Sequence, residues 1–257
     1  MSAEIQYPDH FIERLHAVWG EGFLSPGGEE EVHEVVRGLD LQDKKVLDIG
    51  FGTAGPSMVL ARNLGARRVI GIDVEETLHR RATALVEKSG LAERVELVLV
   101  EPGPLPFQDS SFDVVFSKDS IIHIPDKAAL FAEIYRVLKP GGVIAASDWL
   151  RGEGARAEDA LKHMTGHLHF EMATAAQMET LLRDAGFAKV GSVDRNRWYA
   201  KVVEKELSTL ENAYEDLAQK VGKDILDPWL EVRRNSAKAV QGGGLRPTHI
   251  RGVKPLA

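Results

Sequence analysis

The sequence predicts an α/β fold in which a mostly parallel sheet is covered by helices. Two observations carry this. From residue 44 to about 150, short β-branched runs alternate with segments of helical periodicity, the order expected of parallel strands joined by crossover helices. Within that stretch "VLDIGFGTAGP" (46–56) runs from an apolar strand into three glycines spaced G-x-G-x-x-G and then a proline. Strand, tight turn and helix follow one another as a nucleotide-binding turn requires.

The elements follow in order. "KVLDIG" (45–50), "RVIGID" (68–73), "RVELVLV" (94–100), "FDVVFS" (112–117) and "GVIAASDW" (142–149) are strands. Segments 56–64, 75–89 and 127–138 are the helices between them, and "VLKPGG" (137–142) is the turn before the fifth strand. Ahead of the sheet, "HAVWGEGFLSPGGEEEVHEVV" is an aromatic stretch, an S-P-G-G turn and a helix starting near Glu29. After 150 the pattern becomes helical. Residues 156–186 form a mostly helical stretch, with Thr174 as an N-cap and Gly186 closing its last helix. "FAKVGSVD" (187–194) is a further strand, 198–221 and 225–240 are two long amphipathic helices, and a glycine break leads to a last strand in "QGGGLRPTHIRGVKP". The expectation is one domain over 1–257: a lid over 1–40, a binding core over 41–150, and a helical cap with the last strands over 151–257.

Composition narrows the class. The 257 residues are 44 % hydrophobic and 28 % charged, with a net charge of −7. No clustered basic face invites nucleic acid, and no run of about 18 apolar residues spans a membrane. The start, "MSAEIQYPDHFIERL", has acidic residues and no apolar leader. There are no cysteines, which excludes disulfides, thiolate catalysis and cysteine metal sites. The expected location is cytoplasmic.

Gly50 and Gly52 let a ligand approach the backbone, Gly55 lets the helix pack on its strand, and Pro56 suits the first helical turn. The helix N-terminus then faces an anion. Asp73 ends the second strand, where an acid accepts both ribose hydroxyls. These features suit NAD and S-adenosylmethionine (SAM) alike. Three others separate them: Asp48, an acid two residues before Gly50 that suits an ammonium group; Glu101 after the third strand; and the "VLKPGG" turn. On these residues the stretch 40–150 resembles the class I SAM-dependent methyltransferases. The resemblance implies a Rossmann-like, seven-stranded, mostly parallel sheet with SAM as cofactor. It implies Asp48, Gly50 and Gly52 at the methionine end, Asp73 and Val74 at ribose and adenine, and Glu101 at adenine.

"SKDSIIHIPD" (117–126), together with "WGEGFLSPGG" (19–28), is similar to the phosphoethanolamine and sarcosine/dimethylglycine N-methyltransferases. That similarity implies Asp119 and His123 at the reacting amine, with Ser25 and Lys118 touching SAM. A histidine titrating near neutrality can take the proton of an alkylammonium and expose its lone pair. In the phosphoethanolamine enzymes a lid tyrosine pairs with that histidine; the matching place here is expected at Leu15, with Trp19 and Phe23 nearby. The family's phosphate clamp uses tyrosines and an arginine after the fifth strand. The matching "HMTGHLHFEM" (163–172) has neither, and Trp149 replaces a further tyrosine. The expected acceptor is therefore a small amine or amino acid without phosphate.

Trp19, Phe23, Trp149, Phe170, Trp198 and Tyr199 are the aromatics expected around a methylated ammonium group, which ring faces attract. Arg195, Arg197, Arg233, Arg234 and Arg251 are candidate partners for a substrate carboxylate. His163 and His167, with His169, have a spacing that can share a helix face. No acidic motif completes a site and methyl transfer to nitrogen needs no metal, so none is expected. Two alternatives stay open: an O- or C-methyltransferase of a small natural product, and a SAM-binding module without catalysis. The expected state is a monomer or a homodimer, with the 198–240 helices available for dimer contacts.

Overall fold

The computed structural model describes residues 7–162 and 170–256. Its strands are β1 (Lys45–Ile49), β2 (Arg68–Asp73), β3 (Val95–Leu99), β4 (Phe112–Lys118), β5 (Leu138–Arg151), β6 (Ala188–Asp194) and β7 (Leu245–Val253). They form one seven-stranded sheet in the order β3-β2-β1-β4-β5-β7-β6. β1 to β5 are parallel, and β7 lies antiparallel between β5 and β6. From β1 the chain builds outward through β2 and β3, then returns to place β4 on the other side of β1. The C-terminal ends of β1 and β4 therefore part, which opens the crevice where such sheets hold ligands.

The helices are α1 (Asp9–Trp19), α2 (Gly28–Val35), α3 (Gly55–Arg62), α4 (Glu76–Lys88), α5 (Lys127–Val137), α6 (Ala155–Leu161), α7 (Ala175–Asp184), α8 (Asn196–Asn212), α9 (Tyr214–Val221) and α10 (Lys223–Gln241). Alternation along the strands sends consecutive residues to opposite faces. Val46, Val69 and Phe116 pack with Val32 of α2, Leu60 of α3 and Ala82 of α4. Leu47, Ile70 and Val115 pack with Phe131 and Ile134 of α5 and Leu182 of α7. Each such aliphatic side chain contributes about 1.5–3 kcal/mol on leaving water. A third cluster joins Tyr199 and Val203 of α8 to Val240 of α10 and Leu245 of β7.

Several elements differ from expectation. "VLKPGG" is not a turn ahead of β5: Val137 ends α5 and the other five residues belong to β5. Phe112 pairs with Leu138, the register then shifts, and Val114 pairs with Val143. Gly141, at φ 79°, lies within the extra residues, as a bulge requires. The helix expected over 198–221 is two helices that part at Ala213, where no glycine or proline marks the break. Helix α1 replaces an unassigned aromatic stretch; it follows Pro8, buries Ile12 and Leu15, and ends at Gly20 with φ 94°. The N-cap at Thr174 is a full capping box: Thr174 Oγ1 accepts from the Gln177 N–H at 3.2 Å, and Gln177 Oε1 accepts from the Thr174 N–H at 2.8 Å.

Gly55 has a different reason from the one expected. Its N–H donates to the Gly22 carbonyl at 2.9 Å, and a Cβ there would overlap that same carbonyl. The glycine admits the N-terminal segment to α3, and the chain itself takes up the first helical N–H. A second tie joins His16 Nε2 to Thr53 Oγ1 at 2.9 Å. Gly55→Ala is expected to cost about 1–3 kcal/mol by overpacking. Thermal unfolding should register this as a midpoint lowered by about 2–4 °C per kcal/mol.

Candidate active site

A cavity of about 930 Å³ fills the crevice. Its floor is the glycine turn. Gly50 and Gly52 sit at φ 75° and 57°, in the left-handed region that glycine enters without penalty. A Cβ on Gly50 would run into the Ser120 side chain, and one on Gly52 would lie 3.0 Å from Leu24 Cδ1. Ser120 Oγ donates to the Gly50 carbonyl at 3.1 Å, so the turn after β1 rests directly on the turn after β4.

Asp73 faces this cavity from the end of β2. Its Oδ2 accepts from the Gly52 N–H at 3.0 Å, and Oδ1 from those of Val74 at 2.8 Å and Glu75 at 3.1 Å. Burial pushes its carboxyl up to about 6, against those three hydrogen bonds. Val74 and Glu101 are exposed residues on the cavity wall. Asp48 lies elsewhere. It is buried behind the turn and accepts from Ser57 Oγ of α3 at 2.5 Å, and burial pushes it up to about 7. It braces the first turn of α3.

The end of β4 carries the polar centre. Lys118 Nζ donates to Asp119 Oδ2 at 2.9 Å, Ser25 Oγ at 2.5 Å and the Pro26 carbonyl at 2.9 Å. Asp119 sits at φ 57° and also accepts from Ser147 Oγ at 2.7 Å. Burial pushes its carboxyl upward, but the charge and hydrogen bond of Lys118 and the Ser147 hydroxyl outweigh this and hold it below the usual carboxylate range. Asp119 is ionised at neutral pH.

A single 3-10 turn, Ile121–His123, follows. His123 Nε2 lies 3.4 Å from the Tyr7 hydroxyl, and the two rings meet edge to face at 6.4 Å between centroids. Tyr7 therefore occupies the place expected of Leu15, which is buried on α1 instead. Desolvation, then the charges of Asp73, Glu75 and Asp119, push the Tyr7 phenol up, so it stays protonated. One sequence signal existed: Tyr7 is the sole tyrosine before Tyr135.

Of the expected acceptor aromatics, Phe23 lines the cavity. Phe170, Trp149, Tyr199 and Trp198 instead form a row leading away from His123, with successive centroids 5.4, 6.4, 5.6 and 6.2 Å apart. Trp19 faces the C-terminal helices, where its Nε1–H donates to Glu206 Oε1 at 2.7 Å and Arg233 lies over its ring. The candidate arginines are engaged elsewhere: Arg195 with Glu31, Arg233 with Glu206, Arg234 with Glu211, and Arg251 with the Val35 and Arg37 carbonyls. Arg197 is exposed. His163, His167 and His169 lie outside the described residues. Among the described residues no group of three histidines or acids could hold a metal ion, and no helix is long and apolar enough to cross a membrane.

Residues 47–146 match the family model described as "Methyltransferase domain". Phosphoethanolamine N-methyltransferase 3 of Arabidopsis thaliana is 34 % identical over 246 residues, a match covering 94 % of this chain and 49 % of that protein. Over residues 47–146 the chain matches a methyltransferase domain, and over nearly its whole length it is similar to phosphoethanolamine N-methyltransferases. The chain superposes on phosphoethanolamine N-methyltransferase 2 of Haemonchus contortus, solved with phosphomonomethylethanolamine and S-adenosylhomocysteine. The TM-score is 0.88 at 25 % identity, covering 97 % of this chain and 59 % of that one. A Galdieria sulphuraria structure described as a sarcosine dimethylglycine methyltransferase shares the fold, with TM-score 0.79, 20 % identity, and 96 % and 98 % covered. The chain spans about half the length of the curated plant relatives it matches.

Proposed function

We propose that this chain transfers the methyl group of SAM to the nitrogen of a small amine or amino acid. One observation carries the reading: the Asp119 carboxylate, the His123 imidazole and the Tyr7 phenol all line one end of the cavity whose floor is the glycine turn. The floor fits the cofactor. Gly50 and Gly52 put bare backbone on it beside Ser120 and Leu24, Asp73 offers a carboxylate for ribose hydroxyls, and Val74 and Glu101 border the place for adenine. Ser25 and Lys118 close the methionine side. When bound, SAM supplies a methyl group already activated on a sulfonium.

The protein's part is then to attract, aim and deprotonate the acceptor. Ionised Asp119 attracts an alkylammonium. His123 accepts its proton at Nε2, the nitrogen beside Tyr7, and so exposes the lone pair. Tyr7 suits both states of the ring, because a hydroxyl donates to a neutral imidazole and accepts from a protonated one. Half-buried Phe170 and Trp149 are the ring faces in reserve for a methylated ammonium group, with Tyr199 as core behind them. A phosphate-bearing amine is favoured by the relatives' names, and a phosphate-free one by Trp149 and by the lack of arginine and tyrosine in 163–172. The reading also takes the chain as one domain with a lid over 1–40, a cytoplasmic monomer or homodimer without a nucleic-acid partner.

The test is a methyl-transfer assay with release of S-adenosylhomocysteine as readout. The panel holds ethanolamine, phosphoethanolamine, glycine, sarcosine, dimethylglycine and histidine. Turnover on one amine sustains the reading and fixes the acceptor class. SAM binding with no turnover across the panel refutes it.

Asp73 adds a pH prediction. Its folded carboxyl titrates near 6, and ribose hydroxyls donate to the ionised form. SAM affinity is expected to be flat above about pH 7 and to weaken toward about tenfold per pH unit below 6, one proton being taken up on release. Calorimetry between pH 5 and 8 reads this directly, and Asp73→Asn should lower affinity and flatten the curve.

A further inference from the structure

We propose that Asp148 is a positioning residue for His123: its buried carboxyl, reaching from β5, fixes the backbone of the turn that carries the imidazole. The proposal rests on the reading of His123 as the acceptor's base. Ser147 and Asp148 are consecutive on β5, so their side chains leave opposite faces of the sheet. Ser147 holds Asp119 through Oγ, and Asp148 Oδ1 accepts from the Ile122 N–H at 3.1 Å. Two neighbouring strand residues thus grip the β4 exit at both of its chemical groups.

The grip adds to the anchors at Asp119 and Ser120 and reaches the part of the segment that carries the imidazole. The segment leaves β4 through left-handed Asp119, and the first N–H groups of a short helical turn have no partner inside it. The His123 N–H returns to the Ser120 carbonyl at 3.1 Å, while the Ile122 carbonyl accepts from the Glu171 N–H at 2.8 Å. Ile122 is therefore pinned through both of its backbone groups, and among the described residues its N–H has Asp148 as its partner.

The other carboxyl oxygen, Oδ2, is buried and has no hydrogen-bond partner among the described residues. The charged groups that act on this carboxyl are Asp119 from the β4 exit and Lys127 from α5. Lys127 gives its Nζ to the Ile124 carbonyl at 2.8 Å and also feels Glu171. On the β7 side the register partner is uncharged Thr248. Burial, then the negative charge of Asp119, push the Asp148 carboxyl up to about 8 against the Ile122 hydrogen bond and Lys127. Asp148 grips the turn as a neutral acid, which leaves Asp119 the ionised one of the two. Above pH 8 it ionises, and a second negative charge then stands behind His123.

The experiment follows the His123 ring signal by NMR in wild type, Asp148→Asn and Asp148→Ala between pH 5 and 10, with His123→Ala identifying that signal. It needs no acceptor, so it stands apart from the search for a substrate. Wild type is expected to show a second inflection near pH 8 beyond the ring's own titration. Asp148→Asn, which keeps an accepting oxygen and cannot ionise, should lose that inflection and keep the ring's own midpoint. Asp148→Ala should move the midpoint and broaden the signal. With an accepted amine, Asp148→Ala should lower kcat by about 10–100-fold at little-changed SAM affinity, as misplacement of a reacting group does, and Asp148→Asn should recover most of that rate. A wild-type ring titration in Asp148→Ala overturns the proposal. If that variant does not fold, an inflection near pH 8 persisting in Asp148→Asn overturns it instead. Absence of any accepted amine would count against the functional reading alone.

Discussion

Replacing His123 with alanine is expected to lower turnover by about 10²–10⁴-fold, the range a positioned base contributes, with SAM affinity nearly intact. The separation follows from placement. His123 lies on the 3-10 turn after β4 and pairs with Tyr7, whereas the residues assigned to the nucleoside sit at the ends of β2 and β3. Raising the pH should restore part of the rate, because an amine that loses its proton to solvent no longer needs the imidazole. Tyr7→Phe should fall between wild type and His123→Ala, since it keeps the ring stacking and loses the hydroxyl. Steady-state kinetics on the accepted amine, with calorimetry for SAM, checks both halves. Wild-type turnover in His123→Ala would remove the base from this mechanism.

Lys118→Met is expected to have the largest effect on stability. The Lys118 and Asp119 side chains are 2 % and 7 % exposed and 2.9 Å apart, and removing one partner of such a pair leaves a buried, uncompensated charge at a cost of about 3–5 kcal/mol. The unfolding midpoint should drop on the order of 10 °C for a chain of this size. Asp119→Asn in the same background should recover much of the loss, and a double-mutant cycle by thermal unfolding measures the coupling. The pH dependence has a definite sign. A carboxyl held below its usual range stabilises the fold above the unfolded value of about 3.9, and that contribution is lost as pH falls through the folded value. Wild type should show this acid-side loss. Lys118→Met should not.

The sheet was legible in the sequence because β1, β2 and β4 are buried on both faces and read as unbroken β-branched runs. The glycine turn was legible because left-handed backbone and close approach leave one residue type. Asp119 and His123 were reached through a resemblance, since no periodicity ties a residue type to a reacting amine. Tyr7 was missed because its partner lies 116 residues away; such a contact is made by packing α1 over the cleft, and no local pattern records it. Trp19 was read toward the acceptor because helical spacing does not say which neighbour a ring meets, and Glu206 lies 187 residues on. The break at Ala213 carries no glycine or proline, so two helices read as one.

The contact between Gly50 and Ser120 has a consequence for how this chain can change over generations. The absent Cβ at 50 is the space the Ser120 side chain occupies, and Ser120 Oγ bonds back to the Gly50 carbonyl. One position belongs to the glycine turn and the other to the acceptor turn, so a side chain cannot appear at 50 while Ser120 stands. Loss of the side chain at 120 would remove the clash, but the left-handed φ of 75° at 50 still favours glycine there. The glycine turn is therefore fixed twice over, and the route to a new substrate runs through 121–126 and the aromatic row before it runs through residue 50.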